Sequence, residues 1–144
     1  MPHTQSRALI DTYFAAFNAG DTTKMGTLVT EDLIHDVNQG ERRVGKDQFW
    51  AFNVHMSRCY KERISDMMLL ISEDGTRAAA EFMVHGTYLE SDDGLPEANG
   101  QTYKLPAGSF FEIRDGKIAR ITTYYNLKDW IAQVSAPQTE AAAG

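Results

Sequence analysis

The sequence predicts an α+β fold: a strongly curved antiparallel sheet with helices lying on its concave side. Helical periodicity dominates the chain up to Arg58, strand-like alternation dominates it from Ile64 onward, and Asp-Gly-type turns join successive strands. A bent sheet roofed by helices forms a cone, and a cone of this kind encloses an apolar cavity, the usual setting for a small-molecule site. At 144 residues the chain suits a single core, expected to span 1–134, with 135–144 as a loose tail that has nothing to bury.

Leu9, Ile10, Tyr13, Phe14 and Phe17 recur at helical spacing over Arg7–Ala19, with Ser6 as N-cap and Gly20 as the stop. Asp21 then caps a short second helix to about Val29. A strand follows over Asp32–Asn38, closed by Gln39-Gly40, and a third helix over Lys46–Arg58 buries Phe49, Trp50, Phe52 and Met56. Strands are expected over Ile64–Ser72 and Arg77–Leu89, joined through Glu73-Asp74-Gly75. Met67–Ile71 read as plain sheet core. An acidic loop, Glu90–Gly100, overhangs the mouth of the cone. Two further strands, Thr102–Arg114 and Lys117–Leu127, meet at Asp115-Gly116, and a short helix closes the domain over Asp129–Val134.

Composition excludes several functional classes. A net charge of −6 and a pI near 5.1 argue against nucleic acid, which demands a concentrated positive field. No apolar run reaches the roughly 18–20 residues of a membrane span, and the N-terminus lacks a secretory layout, so the expected setting is cytoplasmic. Cys59 stands alone and has no activating neighbour. Gly94, Gly100 and Gly108 do not sit at a strand-to-helix junction, so no phosphate loop is formed.

Polar residues on apolar faces are the informative ones. Alternation along the first strand separates Ile34, Asp36 and Asn38 from Leu33, His35 and Val37. Asp36 among apolar neighbours is a candidate general base, or else the cap of the turn at Asn38-Gln39-Gly40. Tyr13, on the stripe of the first helix, either donates to a substrate oxygen or satisfies its hydroxyl within the core. Phe82, Val84, Gly86 and Tyr88 share one face of the long strand; Glu81, Met83 and His85 share the other, expected to lie outside or at a dimer contact. A His35–Asp36–His85 metal site would require a distorted strand, because adjacent residues point oppositely; neither a metal nor another cofactor is expected.

Four stretches carry a resemblance to the nuclear-transport-factor-2-like superfamily, in particular its ketosteroid isomerase and SnoaL-like group: Tyr13–Asp21; His35-Asp36 with Gly45–Phe49; Phe110–Ile113; and Asp115–Ile118 leading into Tyr124-Tyr125-Asn126. The resemblance implies the cone-shaped α+β roll, and a homodimer formed through the exposed sheet face. It implies Asp36 as the base that moves a proton beside a carbonyl and Tyr13 as donor to the enolate oxygen. The family's second, acidic donor falls on Ser109, so a hydroxyl or one of the phenols Tyr88, Tyr103 and Tyr124 has to substitute. Phe17, Asn38, Asn53, Phe82, Val84, Tyr88, Phe111 and Tyr125 are the expected walls of a site for a small hydrophobic carbonyl compound, Asn53 falling where the family often has a supporting Tyr. Isomerisation by Asp36 is the leading expectation; a cyclase, dehydratase or hydrolase pairing Asp36 with a histidine, and a non-catalytic binder, are the alternatives.

Overall fold

The computed structural model describes residues 2–136, so the expected tail beyond 136 lies outside the described residues. Its elements are α1 (Pro2–Ala19), α2 (Thr22–Thr27), β1 (Val29–Val37), β2 (Arg43–Val44), α3 (Lys46–Cys59), β3 (Tyr60–Ile71), β4 (Arg77–Tyr88), β5 (Thr102–Arg114), β6 (Lys117–Tyr125) and α4 (Leu127–Ser135). The six strands form one sheet in the order β2-β1-β6-β5-β4-β3. All neighbours are antiparallel except β1 and β6, which run parallel, a pairing that differs from the fully antiparallel sheet expected. The long α3–β5 stretch between them supplies the crossover that a parallel pair needs.

The sheet is curved and does not close. Register shifts interrupt β1 between Val29 and Ile34, β3 between Ser65 and Met68, and the β5–β6 pair at Glu112/Ile113. Each extra residue kinks its strand and increases the local twist. Asp66 marks the β3 irregularity with φ of 55°. The β5–β6 turn behaves as its Asp-Gly pair dictates, Asp115 and Gly116 having φ of 53° and 74°, as a type I′ turn requires.

Helix α1 lies along the edge strand β3 and occupies its free backbone groups. Asn18 Nδ2 donates to Ile64 O at 3.0 Å while Ile64 N donates to Asn18 Oδ1 at 2.7 Å, and Arg7 reaches Leu69 O at 3.1 Å. The edge is thereby protected from other chains. Ser6 is not an N-cap: α1 begins at Pro2, and the buried Ser6 hydroxyl donates to Gly75 O at 2.6 Å. Asp21 does cap α2, accepting from Lys24 N.

Two expectations about the core change. Trp50 is 47% exposed, on the outer side of α3, while Phe49 is 2% exposed. Met68 and Leu70 point outward at 60% and 62% exposure, with only Leu69 of that trio buried, because β3 is the edge strand and its outer face is uncovered. No helix among the described residues is long and apolar enough to cross a membrane.

Candidate functional site

Two apolar clusters fill the concave side. One, around Tyr13, Phe14, Phe82 and Phe111, packs α1 on the sheet; the other, around Tyr60, Tyr88, Tyr103 and Trp130, packs α4 on the far end of β5. A cavity of about 260 Å³ lies at the seam between them, its wall shared by Phe14 and Phe82 from the first cluster and Tyr60 and Trp130 from the second. This is slightly below the roughly 300–1,000 Å³ of drug-sized pockets, so it suits a compound of one or two rings.

Seven of the residues singled out in the sequence meet here. Tyr13 and Ser109 line the cavity from α1 and β5; Phe17 and Asn53 line it from α1 and α3, and Phe82, Val84 and Tyr125 from the sheet. Burial pushes the Tyr13 phenol far above its ordinary value, so it stays protonated, and its hydroxyl has no hydrogen-bond partner among the described residues. Ser109 Oγ is paired with Thr123 Oγ1 at 2.7 Å, both on the wall.

Asp36 is not in the cavity. The two faces of β1 separate as expected, but the inward face is that of Leu33, His35 and Val37, with His35 and Val37 on the cavity wall. Asp36 lies on the opposite face under a lid of polar groups. Arg42 Nε and Nη2 clamp its two carboxylate oxygens at 2.8 and 3.0 Å, and Thr122 Oγ1 donates to Oδ2 at 2.9 Å. The Arg42 guanidinium first, and Thr122 further, hold its carboxyl below the usual carboxylate range. Thr122 in turn accepts from Arg120, which bridges to Glu112. Asp36 therefore anchors a polar ladder on the outer face and carries none of the geometry of a base acting inside the cone.

Three further expected contacts stand behind the wall. Asn38, with φ of 52°, accepts from Tyr125 N at 2.8 Å and fastens the end of β1 to β6. Tyr88 is fully buried and anchors the acidic loop, donating to Pro96 O at 2.6 Å and accepting from Asp92 N at 2.8 Å. Phe111 is fully buried against Tyr13 and Phe14, which hold it off the cavity surface. His85 is outside, as expected of its face, paired with Ser65 Oγ at 2.8 Å.

His35, expected in the site only as a histidine partner for Asp36, stands on the cavity wall by itself, and so do Glu62 and Asp92, which the sequence did not single out. His35 is 5% exposed, edge-on to Phe49 and Phe52 at 5.2 and 4.7 Å between ring centroids. Burial foremost, then the Arg43 charge, lowers its pKa to about 4, so its ring is neutral at neutral pH. His35 Nδ1 and Asn53 Nδ2 are buried without a hydrogen-bond partner.

Glu62 was hidden because β3 starts at Tyr60, four residues earlier than its periodicity suggests. Glu62, Gly86 and Tyr103 are cross-strand neighbours on β3, β4 and β5. The Tyr103 ring crosses directly over Gly86, where a Cβ would sit 2.1 Å from its Cζ, and its hydroxyl donates to Glu62 Oε2. A glycine inside a strand is the one local sign of such a close approach. Burial raises the Glu62 pKa against the opposing effect of the Tyr103 bond.

Asp92 brings the acidic loop to the cavity, as the loop's position in sequence suggested. His55 Nε2 pairs with its Oδ1 at 2.8 Å and Tyr60 donates to its Oδ2 at 2.7 Å. His55, Cys59 and Asp92 have ligand atoms within 4.8 Å of one another. However, Arg58 Nη2 sits 3.1 Å from His55 Nδ1. An Arg donor there places the ring proton on Nε2, facing Asp92, which makes this group a loop latch rather than a ready metal centre.

Residues 10–121 match the family model described as a SnoaL-like domain. A candidate polyketide cyclase from Pseudomonas putida is 60% identical, with 88% of this chain and 95% of that one covered at a TM-score of 0.86. One from Silicibacter sp. is also 60% identical, with 91% and 96% covered at a TM-score of 0.88. A third, from Xanthomonas campestris pv. campestris, is 46% identical, with 93% and 99% covered at a TM-score of 0.90. The search of curated proteins gives no match. A family match over most of the chain, together with relatives this similar across nearly their whole length, makes the chain a member of the SnoaL-like domain family.

Proposed function

We propose that this chain performs acid–base chemistry on a small, largely apolar carbonyl compound held in the cone, in the manner of a SnoaL-like cyclase or isomerase. One observation carries the reading: Tyr13, whose hydroxyl has no hydrogen-bond partner among the described residues, stands with His35 and Asn53 on the wall of one apolar cavity. A ligand oxygen that accepts from the Tyr13 hydroxyl gains a hydrogen bond worth about 0.5–1.5 kcal/mol net.

His35 takes the proton from the carbon beside the carbonyl. The C–H electron pair moves into a carbon–carbon double bond, and the oxygen that gains charge is met by the Tyr13 hydroxyl. In isomerisation the His35 proton returns to a different carbon; in ring closure the enolate carbon attacks a second carbonyl of the same molecule, whose C=O π pair moves onto its oxygen, and that alkoxide takes the proton from His35. A weak base suffices where the oxyanion is held, since a base of pKa about 4.6 serves in ketosteroid isomerase. Acid and base come from side chains, so the reading invokes no cofactor.

The test is proton–deuterium exchange at the activated carbon of 2-tetralone in D2O, followed by NMR. Exchange above the buffer rate, competitively suppressed by 2-naphthol as a planar enolate mimic, is the expected result. A melting-temperature rise with 2-naphthol but no exchange above buffer would make the protein a binder and remove the catalytic reading.

The homodimer belongs to the same proposal. Register places Leu70, Ala79 and Phe110 side by side on the outer sheet face, with Met68 and Tyr124 adjoining. Met68, Leu70, Phe110 and Tyr124 are 42–62% exposed, an apolar patch suited to pairing with its own copy about a two-fold axis. Phe110→Glu should convert a sedimenting dimer to monomer; a wild-type chain that sediments as a monomer at micromolar concentration rules this out.

A further inference from the structure

The carboxyl groups on the cavity wall are those of Glu62 and Asp92, and among the described residues no Lys or Arg lines it. The two carboxyls stand at one end, among phenols. Tyr103 donates to Glu62 and Tyr60 to Asp92. Tyr125 lies within the field of both, and after burial itself these two carboxyls are what hold its phenol above the ordinary range. The loop over this end adds Glu90, Asp93 and Glu97.

We propose that this acidic, phenol-framed end selects ligands without negative charge: it receives the hydroxyl or ammonium hydrogens of a small ring compound and excludes carboxylates. This rests on the reading of the cone as a ligand site, not on any particular reaction there. Charges act at close range and with little screening in an enclosed apolar cavity. An incoming carboxylate would lose its hydration shell, find no Lys or Arg on the wall, and face Asp92, whose own charge is maintained by His55 and Tyr60. A hydroxyl or ammonium group meets acceptor oxygens instead. The proposal narrows the substrate to esters, ketones, phenols or amines and removes free acids.

Three probes on nearly one bicyclic frame test it at pH 7: 2-naphthol, 2-aminotetralin and 2-naphthoate, with dissociation constants from calorimetry on the full chain. Wild type should bind the first two at least tenfold more tightly than naphthoate. Glu62→Gln keeps an acceptor for Tyr103, and Asp92→Asn keeps acceptors for His55 and Tyr60. Either variant should bring naphthoate at least threefold closer to naphthol. Naphthoate binding as tightly as naphthol in wild type overturns the proposal, as does binding of none of the three, or exclusion that persists unchanged in both variants. Exchange of 2-tetralone is a separate readout. Selectivity with no exchange sinks the catalytic reading alone, and exchange with no selectivity sinks this one alone.

Discussion

His35→Leu should lose catalysis and gain stability in acid, two opposite effects from one side chain. On the proposed mechanism the imidazole is the base, and removing a positioned general base lowers the rate by about 10²–10⁴-fold. The 2-tetralone exchange assay reads this directly. The stability effect follows from burial. The unfolded imidazole takes up a proton near pH 6.5, whereas the folded one, desolvated among Phe49 and Phe52 and facing the Arg43 charge, resists until about pH 4. Between those values the unfolded chain binds more protons, so wild-type stability falls as pH falls, by ~3 kcal/mol across the window. Leucine has no proton to bind, and urea midpoints for His35→Leu should be flatter from pH 6.5 to pH 4. Equal slopes for the two proteins would show that His35 is not held neutral. Asp36→Asn supplies the contrast. Its exchange rate should stay within about twofold of wild type, and its stability should fall by about 1–2 kcal/mol as the Arg42 and Thr122 bonds weaken. Because the folded Asp36 carboxyl is held below its ordinary value, that contribution is present above the usual carboxylate range and is lost as pH drops through the lowered one. A collapse of exchange in Asp36→Asn would restore the original assignment of the base.

What was legible in the chain was local. The Asp21 cap, the Asp115-Gly116 turn, the α1 stripe and the limits of α3 all follow from contacts a few residues apart, and each stands where its spacing puts it. The parallel β1–β6 pair was hidden because it joins segments about ninety residues apart, and nothing within either strand encodes its partner's direction. The inversion at Asp36 has a plainer cause. The face bearing His35 carries Leu33 and Val37, the face bearing Asp36 only Ile34, and that count favours His35 inward. The resemblance weighted the acid over the count. The start of β3 was obscured by Lys61, Glu62 and Arg63, which continue the polar run of α3 into the strand. Glu62 consequently had no face from which to be judged, and only the three-strand register with Gly86 and Tyr103 shows why a carboxyl is tolerated there.

Phe111→Ala should cost about 3–5 kcal/mol, a large share of the roughly 5–15 kcal/mol that holds a domain of this size. Phe111 is fully buried toward the end of β5, between Ala78 of β4 and Ile121 of β6. Its ring meets Tyr13 edge-on at 6.2 Å and Phe14 edge-on at 5.8 Å. Those two residues separate it from the cavity, and they are also its means of influence on the site. Truncation removes the floor beneath Tyr13, whose hydroxyl the proposed chemistry needs at a fixed position. Leucine keeps most of the volume, so Phe111→Leu should lose about 1–1.5 kcal/mol. The pair of variants separates two roles. If Phe111 is a buttress, urea unfolding of Phe111→Leu shifts its midpoint while 2-naphthol affinity stays within about twofold of wild type. If it touches ligand, affinity falls with the loss of aromatic contact even where stability is nearly kept. The buried ring, screened by Tyr13 and Phe14, requires the first outcome.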